Sequence, residues 1–224
     1  YGVANPWTDV WNFFLKTEVP KDCLPIGAIP TIAASGSEMS GSCVITNEDG
    51  WLKRGSTRSD LCRPKFALLN PRLTYTLPQY QTESGCVDIL MHTMERYFVN
   101  LETMEITDSI SESLMQTVIY NARILMKEPG NYNARAEVMW AGSLSHNGLT
   151  GCGTGGGDWA CHQLEHELGG LYDVAHGAGL AAIWGSWARY VYLENPERFA
   201  QFATNVFDIP CYVDFEKTAL AGIE

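Results

Sequence analysis

From Thr76 onward the chain reads as one helix after another, and this restricts its fold more than any other feature. Apolar residues recur at helical spacing through about Val87 to Phe98, then through a long amphipathic stretch from about Asp108 to Lys127. Further segments run at about Asn131 to Asn147, Asp158 to Leu171, His176 to Leu193 and Pro196 to Phe207, and the chain stops at KTALAGIE, again helical in pattern. Positions i, i+3, i+4 and i+7 share one helix face, so each segment carries an apolar stripe that another must cover. Thr76-Leu77-Pro78 offers the series an N-cap with proline in the first turn. About 150 residues of this kind make an all-α domain of ordinary size.

Before about Pro71 the texture is different. Leu24 to Ile32, Ser42 to Thr46 and Lys65 to Leu69 are brief apolar runs separated by turn chemistry such as Asn47-Glu48-Asp49-Gly50. The expected architecture is therefore α/β followed by all-α, with a small α/β part over residues 1–75 and a helical part over residues 76–224. The 46% hydrophobic content suffices for a core, and a charged fraction of 18% argues against disorder. A net charge of −11 argues against nucleic acid or an anionic membrane as the main partner, because both call for a basic surface. No apolar run approaches the roughly 20 residues that span a bilayer, and nothing at the start resembles a signal peptide. Seven scattered cysteines (positions 23, 43, 62, 86, 152, 161 and 211), odd in number and without a C-x-x-C pair, suggest reduced thiols in a cytoplasmic protein. The chain opens on YGVANPWTDVWNFF without an initiator Met and ends inside a helical pattern, as expected of a piece of a longer protein.

Three stretches carry chemistry. The first, Gly151 to His166, reads GCGTGGGDWACHQLEH. Gly151 to Gly156 fits the G-x-G-x-x-G spacing of a dinucleotide turn, but such a turn follows a strand, and MWAGSLSHNGLT before it is helical in pattern. A flexible connection whose glycines let backbone approach a pocket closely is the plainer reading. His162 and His166 lie one helical turn apart, and the HQLEH they bound also fits the inverted zinc-protease motif H-x-x-E-H, with Glu165 as general base. That reading needs a third ligand and leaves the second stretch unexplained. There Asp88 precedes His92 by four residues, which puts a carboxylate and an imidazole on one helix face, Cβ atoms roughly 6 Å apart. A lone buried histidine is usually a satisfied core residue. Two such pairs, with His176 nearby, in a chain that has only five histidines, point instead to a divalent ion such as Zn²⁺ or Fe²⁺. The third stretch, PTIAASGSE at Pro30 to Glu38, places hydroxyls and a glycine where an apolar run ends. It is an ordinary polar turn or a holder of phosphate or ribose oxygens.

Taken together, these stretches resemble the iron-containing (group III) alcohol dehydrogenases, most closely their butanol-dehydrogenase-like branch. The family's P-T-x-A-x-[ST]-G-S-E segment is similar to PTIAASGSE, its G-V-D-x-x-x-H helix to GCVDILMHTMERYF at Gly85 to Phe98, and its H-x-x-x-H-x-L-G…H-G segment to HQLEHELGGLYDVAHG at His162 to Gly177. Order and spacing agree over nearly the whole chain. The resemblance implies a remnant of a Rossmann-like nucleotide-binding domain joined to a helical, dehydroquinate synthase-like metal-binding domain. It implies Asp88, His92, His162 and His176 as metal ligands, and His166 as a catalytic neighbour of the nicotinamide with a proton-relay role. It puts Thr31 and Ser35 in the cofactor groove, and it puts a cofactor-contacting family lysine at Arg54, next to Lys53, where a guanidinium keeps the charge and changes the geometry. The glycine run would line the substrate pocket, and Glu165 would be a bystander whose change to Gln a dehydrogenase tolerates and a protease does not.

The implied activity is metal-dependent hydride transfer between a primary alcohol or aldehyde and NAD(P), in a protein that forms a homodimer at full length. The family's G-G-G-S phosphate turn has no counterpart between Tyr1 and Glu224, so this central portion is expected to be inactive alone. Glycerol dehydrogenase and dehydroquinate-synthase-like enzymes share a related Asp/His set. From other classes, a metallohydrolase built on HQLEH and a non-catalytic metal-binding fragment stay open.

Overall fold

A computed structural model of the chain describes residues 1–55, 60–100 and 104–224. The first part holds little regular structure. A four-residue helix α1 (Trp11–Phe14) precedes four short strands: β1 (Gly27–Ala28), β2 (Val44–Asn47), β3 (Leu52–Gly55) and β4 (Phe66–Ala67). β1 pairs in parallel with β4, and β2 pairs antiparallel with β3. The apolar run from Leu24 to Ile32 shrinks to two strand residues because Pro25 and Pro30 flank it and cannot donate to a ladder. The sequence gives little warning of β3, which carries Lys53 and Arg54. Its pairing comes from the turn after Asn47, where Gly50 and Trp51 both take positive φ, 85° and 54°.

Among the described residues the helical part has seven α-helices: α2 (Gln79–Tyr97), α3 (Glu105–Leu125), α4 (Tyr132–His146), α5 (Ala160–Tyr172), α6 (His176–Val191), α7 (Pro196–Phe207) and α8 (Phe215–Ile223). Their ends follow local chemistry. Asn131 caps α4 by accepting from the Ala134 amide, Asn195 caps α7 ahead of Pro196, and Asp214 caps α8. α2 begins eight residues before the expected Val87. Thr82, Ser84, Gly85 and Cys86 interrupt the apolar pattern there but are buried. Thr76 supplies no cap; Pro78 occupies that position without a side-chain bond.

α2 is the axis of the molecule. One side, through Cys86 and Ile89, packs on Leu114 and Val118 of α3 and Val138 of α4. The other, through Met91, Met94 and Phe98, packs on Leu180 of α6 and on Phe199 and Phe202 of α7. An element in two cores at once is held rigidly, and it carries Asp88 and His92. The first part docks on these helices at named points. The Ala33 carbonyl lies against Gly85, and the Ser143 hydroxyl of α4 donates to the buried Glu38 carboxylate. Among the described residues no helix is long and apolar enough to cross a membrane.

Burial also sorts the thiols. It pushes Cys86 and Cys161 up to about 12, whereas Cys152 and Cys211 are exposed. A thiolate-selective reagent at pH 8 is expected to modify Cys152 and Cys211 promptly and to reach Cys86 and Cys161 only on unfolding. Peptide mapping that found Cys86 or Cys161 labelled first would contradict this packing.

Candidate metal centre

Three helices converge on one point. α2 offers Asp88 and His92 one turn apart, α5 offers His162 in its first turn, and α6 offers His176 as its first residue. Asp88 Oδ1 lies 3.4 Å from His92 Nδ1, 3.6 Å from His162 Nε2 and 3.6 Å from His176 Nε2. The Gly177 backbone brings α6 this close: a Cβ there would stand 1.8 Å from the Ser84 carbonyl oxygen of α2.

Asp88, His92 and His162 are 3%, 4% and 6% exposed. Asp88 Oδ1, His92 Nδ1 and His162 Nε2 are all buried without a hydrogen-bond partner. Buried polar atoms are almost always paired, so three unpaired ones facing each other need a shared partner. Ligand atoms from these three residues lie within 4.8 Å of one another. One carboxylate oxygen among imidazole nitrogens is a donor set for a borderline divalent cation such as Fe²⁺ or Zn²⁺, and the residues fit such an ion.

The far sides of two imidazoles are fixed by carboxylates. His162 Nδ1 meets the Glu95 carboxylate, whose other oxygen accepts from the His162 backbone amide at 3.1 Å. Glu95 thereby also satisfies one of the orphan amides at the start of α5, while Asp158 accepts from the Ala160 amide at 2.8 Å. His176 Nδ1 meets Glu165, which is fully buried and receives Lys53 Nζ of β3 at 3.0 Å. Carboxylates behind ligating imidazoles set the ring orientation and leave the other nitrogen for the ion.

The charges follow from these contacts. Burial first, then the neighbouring His146 and His162 rings, hold His92 well below the usual imidazole range. Burial disfavours a charged His162, but the Asp88 and Glu95 carboxylates facing it outweigh that and push it up to about 9. Burial, Lys53 and His176 bring His166 down to about 4. Burial would raise Glu165, yet His176 and Lys53 hold it below the usual carboxylate range.

All five histidines stand in one row. Ring centroids are 4.1 Å apart for His146 and His92, 4.7 Å for His92 and His162, 5.1 Å for His162 and His176, and 5.9 Å for His176 and His166. The Trp159 ring abuts His92, His146 and His162 edge-on. The Arg96 guanidinium lies 4.6 Å over Trp159 and donates to His146 Nδ1 at 3.0 Å. A cleft of about 180 Å³ reaches the row at His146, between Arg96, Arg63 and Ser40. A larger groove of about 670 Å³, walled by Ile106, Leu114 and Trp140, holds none of the histidines.

The structure thus brings Asp88, His92, His162, His176 and His166 together. Thr31 and Ser35 are exposed in the bend that crosses α2 at Gly85, one turn ahead of Asp88. Arg54 stays at the surface, 3.8 Å from Glu167, and Lys53 is the hairpin cation that turns inward. Glu165, a bystander in the sequence reading, is tied to both Lys53 and His176. The same contacts leave it poorly placed as the base of an H-x-x-E-H hydrolase. His162 groups with Asp88 and His92, whereas His166 groups with Glu165 and His176. The preceding helix α4 and the 3₁₀ turn Leu149–Gly151 likewise deny the glycine run a Rossmann setting. The sequence reading gave no role to Glu95, His146 or Trp159. Glu95 lies seven residues after Asp88, hence on the same helix face, and that spacing was the available signal.

Comparison with known proteins bears on this geometry. The family model described as iron-containing alcohol dehydrogenase matches residues 2–71, and that of the C-terminal part of the Fe-containing alcohol dehydrogenase family matches residues 82–223. The chain is 39% identical over 217 residues to a probable NADH-dependent butanol dehydrogenase of Bacillus subtilis, covering 96% of this chain and 56% of that protein. It is 38% identical over 163 residues to an NADPH-dependent aldehyde reductase of Escherichia coli, covering 73% of this chain and 42% of that one. The crystal structure of an NADH-dependent butanol dehydrogenase from Thermotoga maritima superposes with a TM-score of 0.93 at 39% identity, covering 97% of this chain and 54% of that one. The chain spans about half the length of the curated relatives it matches.

Proposed function

The chain belongs to the iron-containing alcohol dehydrogenase family, and on that footing we propose that it serves metal-dependent hydride transfer between a primary alcohol or its aldehyde and NAD(P). The observation that carries the reading is the set of three buried, unpartnered donor atoms on Asp88, His92 and His162, closed by His176 Nε2. Those four residues hold the ion, Fe²⁺ or Zn²⁺. Bound there, the cation supplies Lewis acidity toward an alcohol or carbonyl oxygen, and the nicotinamide supplies the hydride chemistry.

The protein's own part is positional and protic. Glu95 and Glu165 keep the Nε2 atoms of His162 and His176 aimed at the ion. His166, held down to about 4, is neutral at physiological pH and adjoins His176, so its ring can take up the alcohol proton and return it. Trp159 packs edge-on against two of the proposed ligands, His92 and His162, and so helps to fix their rings. Residues 1–75 contribute the cofactor side, with the exposed hydroxyls of Thr31 and Ser35 and the cation of Arg54, and residues 76–224 contribute the ion. A homodimeric, cytoplasmic protein is part of the same reading, and light scattering of the polypeptide that carries this chain tests the dimer.

The decisive experiment separates His166 from the ligands. His166→Ala is expected to keep full metal content by elemental analysis while the polypeptide loses 10²–10⁴-fold in NAD(P)-linked turnover of short alcohols, the range for a general acid–base. Metal loss in His166→Ala equal to that in His162→Ala would overturn the assignment. Bound metal without NAD(P)-linked turnover of short alcohols or aldehydes in the full-length polypeptide that carries this chain would favour a non-catalytic metal-binding protein.

A further inference from the structure

His176 is the most exposed of the four proposed ligands, with 29% of its side chain accessible against 4–8% for the others. It stands at the very start of α6, so its own helix restrains it least. What holds it is Glu165, and Glu165 in turn is gripped by Lys53, 112 residues away in sequence. We infer that Lys53 and Glu165 form a positioning pair that presents His176 Nε2 to the ion and makes the fourth ligand depend on docking of the β2–β3 hairpin. The inference rests on the reading that Asp88, His92, His162 and His176 hold a divalent cation.

The packing around the pair points the same way. Gly169 and Gly170 sit inside α5, where glycine costs roughly 1 kcal/mol each relative to alanine. A Cβ on Gly169 would lie 2.6 Å from Lys53 Nζ and 2.8 Å from Glu165 Oε1, and one on Gly170 would lie 2.5 Å from the Trp51 carbonyl oxygen. On the opposite side, a Cβ on Gly179 of α6 would lie 2.8 Å from Glu165 Cγ. Residues unfavourable to the local helix are thus placed where the hairpin and the Glu165 side chain must pass, and such conflicts with local preference concentrate at functional positions. Glu165, His166 and His176 also have the spacing of a second cation site. The Lys53 ammonium, 3.0 Å from Glu165, already supplies the positive charge there, which favours an orienting carboxylate over a second ion.

The test is a Co²⁺ titration of the whole 224-residue chain, followed by visible absorption, for the parent, Glu165→Gln, Lys53→Met and the double variant. Glu165→Gln is expected to weaken Co²⁺ binding 10–100-fold, as loss of a carboxylate behind a ligating histidine does, and to alter the Co²⁺ band while far-UV circular dichroism is unchanged. Lys53→Met should weaken binding less, and its effect should vanish in the Glu165→Gln background, because the two act through one contact. An unchanged affinity and spectrum in Glu165→Gln would overturn the inference, as would a Lys53→Met effect of equal size in both backgrounds. Should Glu165→Gln fail to fold, the partly exposed Lys53→Met decides alone: a parent-like spectrum and affinity overturn the pair. A parent that takes up no Co²⁺ removes the ion reading and the pair together, whereas a parent that binds it with indifferent variants removes only the pair.

Discussion

Asp88→Asn is expected to uncouple the protein's stability from divalent metal. Asp88 Oδ1 is the atom nearest to all three imidazoles and the only charged donor among the four proposed ligands. Changes behind metal ligands already weaken affinity 10–100-fold, so removal of the charged ligand should cost about 100-fold or more. At a metal concentration about 1,000 times the dissociation constant, the parent gains about 4 kcal/mol; a variant weakened about 100-fold gains about 1.4 kcal/mol under the same conditions. Without metal the substitution removes the carboxylate charge that faces His162, a loss present at every metal concentration and therefore separable from the metal-dependent gain. Thermal unfolding with and without Fe²⁺ or Zn²⁺ reads both numbers. Equal metal-dependent shifts in parent and variant would mean that the ion is held elsewhere.

Arg198→Met addresses the scaffold instead. The Arg198 guanidinium grips Asp108 with both terminal nitrogens, donates to the Tyr97 carbonyl at 2.9 and 2.7 Å, and lies 3.6 Å over the Tyr97 ring. It thus ties α7 to α2 and α3. Asp108 and the neighbouring Glu112 are both buried, and Glu112 already accepts from the Tyr97 hydroxyl at 2.7 Å. Methionine keeps much of the volume but leaves Asp108 without its cation. Breaking one side of a buried pair costs about 3–5 kcal/mol, which should appear as a lower urea midpoint with little change in slope. Metal stoichiometry should stay at the parent value. A midpoint within experimental error of the parent would show that Asp108 finds water or another donor.

The fate of the individual residues explains what a one-dimensional reading could reach. Asp88 and His92 were legible because both lie on one helix at i and i+4, and helical spacing is local information. The helices from α3 to α7 were legible for the same reason, and Asn131, Asn195 and Pro196 mark boundaries through contacts within three or four residues. The first 75 residues were less legible. β1 and β4 pair although they are far apart in sequence, and β3 owes its existence to β2 rather than to its own composition. Arg54 and Lys53 show the limit most clearly. Adjacent strand residues point to opposite faces, and nothing in the two letters says which face meets α5.

What the sequence determined alone was whatever rests on periodicity and on short-range caps: a run of helices after Thr76, and two of them carrying the i, i+4 pairs Asp88/His92 and His162/His166. What only the tertiary structure decided was the surroundings of each imidazole. His162 and His166 share one helix and one spacing, yet the first faces Glu95 and Asp88 while the second adjoins His176 and Lys53. Glu95 comes from 67 residues away, and Lys53 reaches Glu165, the residue before His166, across 112. A proton affinity near 9 or near 4 is set by burial and by charges within a few ångströms, and such neighbours exist only once α2, α5, α6 and the hairpin have packed together.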